Sequence, residues 1–226
     1  LHKEYRRQRQ MCIRDRYMLS KKPLSKSTFP IGKIKKQEVR KLAKKAGLPI
    51  AEKKDSTGIC FIGERNFRQF IERYLPEQPG DIISNEGKKV GTHNGLMYYT
   101  IGQRKGLGIG GGHGKSNLPW YVIEKIMDKN ILIVCQGNDH PLLYSNIITA
   151  SQLHWISGTA PDEGKQLAAK IRYRQKDKIC RIEPVNGDSA IIYFDEPVFA
   201  AAPGQSVVLY DGEVCLGGGI IEPYVN

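Results

Sequence analysis

Apolar and polar positions change rhythm along this chain. Between residues 34 and 46 apolar side chains recur at helical spacing, with Ile34, Val39, Leu42, Ala43 and Ala46 on one face. Gly47 is placed to stop that helix, and Pro49 follows it. A second helical stripe runs through Phe67, Phe70, Ile71, Tyr74 and Leu75 and closes at Pro76. Beyond Pro79-Gly80 the texture becomes short alternating runs separated by glycine turns. Strands are predicted over 81–84, 89–93, 120–124 and 130–135, making a small middle domain. A boundary is expected over 137–145. Further strands are predicted over 167–174, 179–184, 190–194 and 206–210, with Asn186-Gly187 and Asp211-Gly212 as hairpin turns. Short strands at this spacing, with little helix, predict a small closed barrel.

Charge sharpens the picture. The 226 residues carry 35 Lys+Arg against 23 Asp+Glu, a net of +12. Residues 1 to 55 hold 18 basic and 5 acidic side chains, so the whole excess lies in the first quarter of the chain. A concentrated basic block suits a polyanionic partner such as nucleic acid, and equally a solvated arm. Residues 1–16 (LHKEYRRQRQMCIRDR) show neither period, begin without Met, and resemble peptide translated from sequencing-adapter DNA. They are expected to be non-native, with the native start missing. The basic face of the 34–46 helix (Lys35, Lys36, Arg40, Lys41, Lys44, Lys45) then remains as a candidate phosphate-contacting surface or a solvated helix face. No run of 18 apolar residues is present, and the basic start lacks a signal peptide's apolar stretch. A protein of the cytoplasm is expected, with no membrane partner.

Candidate chemistry sorts by context. Gly106-Leu107-Gly108-Ile109-Gly110-Gly111 matches a dinucleotide fingerprint in letters only, because Gly112, Gly114 and Pro119 prevent a following helix. Such a run brings bare backbone N–H groups close to a ligand, with Gln103, Arg104 and Lys105 able to touch phosphate or a base; composition alone favours a mobile surface loop. Five histidines show no metal-ligand spacing, and no metal is expected. Among five cysteines, Cys135, Cys180 and Cys215 fall in apolar strand context and read as structural. Cys60 lies between glycines with Lys53, Lys54 and Arg65 nearby, a setting that favours thiolate. It is the best nucleophile candidate, although a structural role stays open. Arg172-Tyr173-Arg174-Gln175, placed on a barrel strand, interleaves arginine with an aromatic, a pattern suited to RNA.

Several long motifs occur in order: Phe29-Pro30-Ile31-Gly32, Lys54-Asp55-Ser56-Thr57-Gly58-Ile59-Cys60-Phe61-Ile62-Gly63-Glu64, the run from Tyr99 to Gly111, Arg172-Tyr173-Arg174-Gln175, Phe194-Asp195-Glu196-Pro197, and Cys215-Leu216-Gly217-Gly218-Gly219-Ile220-Ile221. From about Tyr17 onward the chain resembles the bacterial tRNA-specific 2-thiouridylase family. The resemblance implies a mainly β chain with a short α segment at its start. The expected parts are a remnant of an α/β nucleotide-binding domain (17–65), a small β-rich middle domain (66–140) and a C-terminal β-barrel (141–226). It implies ATP-dependent 2-thiolation of the wobble uridine in tRNAs for Lys, Glu and Gln. ATP adenylates the 2-oxygen, a cysteine persulfide delivers sulfur, and AMP leaves.

In that resemblance Cys60 matches the persulfide-carrying cysteine, Arg172 and Tyr173 match a tRNA-contacting pair, and Gln205 matches a further tRNA contact. A sulfur-relay protein is the implied donor, and a monomer is expected. The family's S-G-G-x-D-S type loop and its partner cysteine do not occur in this sequence. The expectation is therefore a fragment without its ATP loop, inactive alone, with an apolar face where the missing domain would pack. The competing expectation is a non-catalytic RNA-binding module.

Overall fold

In a computed structural model of the protein, residues 17–32, 34–52, 71–110, 117–172 and 175–223 are described. They fall into two compact units. One takes its residues from 1–55, 146–196 and 203–226, the other from 56–145 and 197–202. The non-native segment expected at 1–16 and most of the second predicted helix lie outside the described residues.

The first unit is built on a closed six-stranded barrel. Its strands are β5 (Tyr144–Trp155), β6 (Leu167–Lys170), β7 (Lys178–Asn186), β8 (Ser189–Phe199), β9 (Ser206–Asp211) and β10 (Val214–Ile221), in the order β10-β5-β8-β7-β6-β9. Inward positions alternate along the strands, and Ile148, Ala150, Leu167, Ala169, Cys180, Ile192, Val207 and Leu209 are buried. Closure removes the free edges that would otherwise invite another strand. Strand β10 carries Gly217-Gly218-Gly219 for a steric reason. A Cβ on Gly218 would lie 2.2 Å from the carbonyl oxygen of Val207 and 3.1 Å from the Tyr17 ring. Tyr17 is only 2% exposed, and its hydroxyl lies 3.4 Å from Ser206 Oγ. The Lys21 N–H donates to Ile156 O at 3.0 Å, so this N-terminal stretch is held on the barrel.

Two short helices follow Tyr17: α1 (Lys21–Ser25) and α2 (Lys36–Lys45). Helix α2 ends as predicted. Gly47 has φ +67°, its N–H donates to Lys44 O, and the Leu48 N–H donates to Ala43 O, the paired bonds of a Schellman cap. The apolar face predicted for α2 is only partly covered: Ile34, Val39 and Ala43 are half-buried, while Leu42 and Ala46 are exposed. No residue of the helix is buried, and Phe29, Ile31, Leu42, Leu48 and Ile50 are exposed.

The second unit holds a four-stranded sheet: β1 (Gly80–Ser84), β2 (Lys89–His93), β3 (Trp120–Ile126) and β4 (Ile131–Gln136), ordered β2-β1-β4-β3. Two antiparallel hairpins, β1-β2 and β3-β4, join through a parallel β1-β4 pairing. Ile82, Val90, Val122, Leu132 and Val134 form the core with Leu96, Tyr99 and Leu107, supplied by the long β2-β3 connection. That connection is therefore not the mobile loop its glycines suggested, at least as far as Gly110. Gly102 N–H donates to Val122 O at 2.7 Å, and Val122 N–H to Gln103 O at 3.0 Å, a short ladder along β3. The Gln103 side chain accepts from Thr100 N–H and donates to Lys105 O, consuming an amide that sequence had offered to a ligand.

Strands β1 to β4 and β6 to β9 overlap their predicted positions. Strand β5 was not anticipated, β10 is the strand in which Cys215 was placed, and β6 is shorter than expected. It stops at Lys170, so Arg172 lies in a bend beyond the strand and not on an alternating strand face.

Candidate functional site

The barrel pairing determines which candidate residues share a neighbourhood. In the antiparallel β6-β9 pair, Lys170 faces Val208 and Ala168 faces Tyr210. The C-terminal end of β6 and the N-terminal end of β9 therefore meet at one end of the barrel. Arg172 follows the first, and Gln205 immediately precedes the second. Both are half-buried. Gln205 is held by its backbone, whose carbonyl accepts from Ile221 N–H at 2.8 Å, after a turn in which Gly204 N–H donates to Ile221 O. Tyr173 and Arg174 lie outside the described residues.

The segment after β6 is braced at its base. Lys170 Nζ lies 2.7 Å from Asp177 Oδ1, with the side chains 12% and 29% exposed. This is an ion pair whose alignment is poor for a hydrogen bond. Partial burial makes such a pair more consequential than an exposed one, because losing one partner strands the other charge. Gln175 N–H donates to Arg172 O at 3.2 Å and closes a turn, while Ile171 is buried beneath. Lys178 pairs with Glu196 on the neighbouring β7-β8 ladder. Spacing had singled out neither Lys170 nor Asp177; the signal lies in tertiary pairing across the bend.

Thiol chemistry narrows by environment. Burial pushes the Cys135 thiol up to about 11. Burial, with Asp195 adding to it, pushes Cys180 up to about 12. Cys215 is also raised by burial, partly offset by a hydrogen bond from the Gly217 backbone. All three are free thiols with little thiolate at neutral pH. Their structural reading from sequence agrees with this. Cys60 and its loop lie outside the described residues.

Two of the histidines, His93 and His140, have local structural roles. His93 Nδ1 accepts from Gly95 N–H at 3.1 Å, and Nε2 donates to Asn130 O at 3.1 Å. His140 Nδ1 accepts from Leu142 N–H at the start of a 3-10 turn. Among the described residues no group of three or more His, Cys, Asp or Glu could hold a metal ion. No helix among them is long and apolar enough to cross a membrane. On α2, Lys44 pairs with Glu52 at 3.0 Å, and Lys41 and Lys45 are exposed. The described N-terminal residues contain no glycine turn feeding a helix N-terminus, the arrangement that would cradle a triphosphate. They do not fit ATP, and no step through it follows from them.

The described residues thus form two β units preceded in sequence by a short helical segment, with Arg172 and Gln205 next to the strand ends that meet at one end of the barrel. Family models match the same three stretches in order. These are a tRNA methyl transferase HUP domain over residues 15–64, a tRNA methyl transferase PRC-barrel domain over 68–136, and an aminomethyltransferase beta-barrel domain over 145–221. The tRNA-specific 2-thiouridylase MnmA of Thiobacillus denitrificans is 58% identical over 205 residues, covering 91% of this chain and 57% of that protein. Its namesake in Shewanella halifaxensis is 53% identical over 210 residues, covering 93% of this chain and 57% of that one. The chain belongs to the MnmA family. It spans a little over half the length of the curated relatives it matches.

Proposed function

We propose that this chain is the sulfur-carrying and RNA-gripping portion of a tRNA 2-thiouridylase acting on the wobble uridine. The observation that carries the reading is the 58% identity across 91% of the chain to a relative named for that activity. In the proposed reaction the uridine 2-oxygen is first activated as its adenylate, which needs an ATP site that the described residues do not supply. The terminal sulfur of a persulfide on Cys60 then attacks C2, and AMP leaves with the former 2-oxygen. A second thiol then attacks Cys60 Sγ and forms a disulfide with it, which releases the 2-thio group on the base. A sulfur-relay protein loads Cys60. Arg172, Tyr173 and Gln205 hold the tRNA, and the shared barrel end of Arg172 and Gln205 supports that assignment. Acceptors for Lys, Glu and Gln follow from the family reading.

Support from charge chemistry is specific to Cys60. The three described thiols are pushed away from the thiolate form, whereas Lys53, Lys54 and Arg65 neighbour Cys60 in sequence. The test is incubation of the 226-residue chain with a cysteine desulfurase and cysteine, followed by peptide mass spectrometry. One added sulfur on the Cys60 peptide, absent in Cys60→Ser, is expected. No added sulfur on Cys60, with tRNA binding retained, would leave a non-catalytic RNA-binding module. The chain alone is expected not to thiolate tRNA when given ATP and a sulfur donor.

A further inference from the structure

In the second unit, residues 104–110 form a ribbon whose two sides differ. Leu107 is buried and Ile109 packs against the sheet core, while Gly106, Gly108 and Gly110 alternate with them on the exposed side. Arg104 and Lys105 begin the ribbon, are exposed, and form no ion pair or side-chain hydrogen bond among the described residues. Among the described residues the N–H groups of 104–106 and 108–110 donate to no acceptor, while the turn at 105–106 directs the Leu107 N–H back toward Arg104 O. Gly106 and Gly108 have φ +79° and +66°, between residues of negative φ, an alternation that turns successive N–H groups toward a common anion. A Cβ at Gly108 or Gly110 would meet nothing within 4 Å, so the outward side is open to a ligand. The base is rigid. Tyr99 and Leu107 are buried, Gln103 staples Thr100 to Lys105, and the 102–103 backbone pairs with Val122.

We propose that this ribbon is a phosphate-binding surface for the RNA backbone, with Arg104 and Lys105 as point charges and the glycine amides as neutral donors. An open, extended strip suits a polymer's phosphodiesters better than a mononucleotide, whose phosphates need a closed cradle at a helix start. The inference rests on the tRNA reading above and adds a contact surface outside the barrel.

The test measures affinity of the 226-residue chain for unmodified tRNA across a salt series. The Arg104→Glu/Lys105→Glu double variant should bind roughly tenfold more weakly at about 0.1 M salt, with the log–log salt slope shallower by about 2. Gly110→Ala, which has space for its methyl group, should keep its thermal midpoint and still lose affinity by blocking close approach. Lys88→Glu, a single charge reversal of the same kind on an exposed lysine of the same unit, should bind as wild type. Wild-type affinity and slope in the double variant would overturn the proposal, as would an equal loss in Lys88→Glu. Weakened ATP binding with tRNA affinity kept would reassign the ribbon to a nucleotide and also overturn it. If the wild-type chain itself fails to bind tRNA, the functional reading falls and the ribbon's assignment with it.

Discussion

His93 illustrates how a polar residue becomes structural through its neighbours. It is 1% exposed, and its two ring nitrogens face an N–H donor at Gly95 and a carbonyl acceptor at Asn130, so only the neutral ring with Nε2–H satisfies both. Tyr99 meets the ring edge-on at 5.9 Å. Asn130 Nδ2 in turn donates to Gln78 O and Pro79 O, tying the start of β1 to the β3-β4 turn. Burial lowers the His93 pKa, outweighing the opposing effects of Asn130 and Asp81. The unfolded chain therefore binds the proton more readily than the folded one. The stabilisation is fully present above the ordinary imidazole value of about 6.5 and is lost as pH falls below it. Urea midpoints followed by Trp120 fluorescence, in a Trp155→Phe background, should drop from pH 7.5 to 5. The drop should be smaller in His93→Gln. An equal pH response in both variants would remove His93 as the source. Spacing showed only that no metal set existed; the ring's partners come from residues 2 and 37 positions away.

At the scale of elements, the two clearest departures from the sequence pattern have opposite causes. Strand β10 was placed only through Cys215 and the Asp211-Gly212 turn, because three consecutive glycines carry no strand propensity, yet the barrel demands them where Val207 O and the Tyr17 ring approach the backbone. Strand β5 was missed because its serines, threonine, asparagine and glutamine blur the alternation, although Ile148 and Ala150 are buried. Helix α2 was found, cap included, because its period and its glycine stop are local. Its apolar face is nevertheless only partly covered, with Leu42 50% exposed. These elements should respond oppositely to substitution. Gly218→Ala should cost the barrel about 1–3 kcal/mol through overpacking. Leu42→Glu should change stability by no more than about 0.5 kcal/mol. Thermal melts of the two variants beside wild type check the contrast; a large loss in Leu42→Glu would mean the face is covered.

For the whole molecule, the distribution of thiols separates chemistry from architecture. Cys135 and Cys180 are buried in different units and have thiols raised to about 11 and about 12. Brief exposure of the native chain to iodoacetamide at pH 8 should leave both unmodified, and both should react after unfolding in urea. Peptide mapping reads the result, and native labelling of either would contradict their burial. Family membership and the order of the three parts were legible in continuous motifs, because those motifs are local words. The assignment of Arg172 to a strand face was not, because β6 ends early where Ile171 turns inward and Lys170 pairs with Asp177 across the bend.

By itself the sequence determined the strand positions with clean alternation, the Schellman stop of α2, the basic first quarter and the candidate role of Cys60. These depend on neighbours a few residues apart, or on composition. Tertiary structure alone decided that Tyr17 seats on a glycine of β10, that Arg172 and Gln205 share a barrel end, and that the glycine ribbon is anchored on one side and bare on the other. Each of those turns on close approach between distant segments, which no local period records.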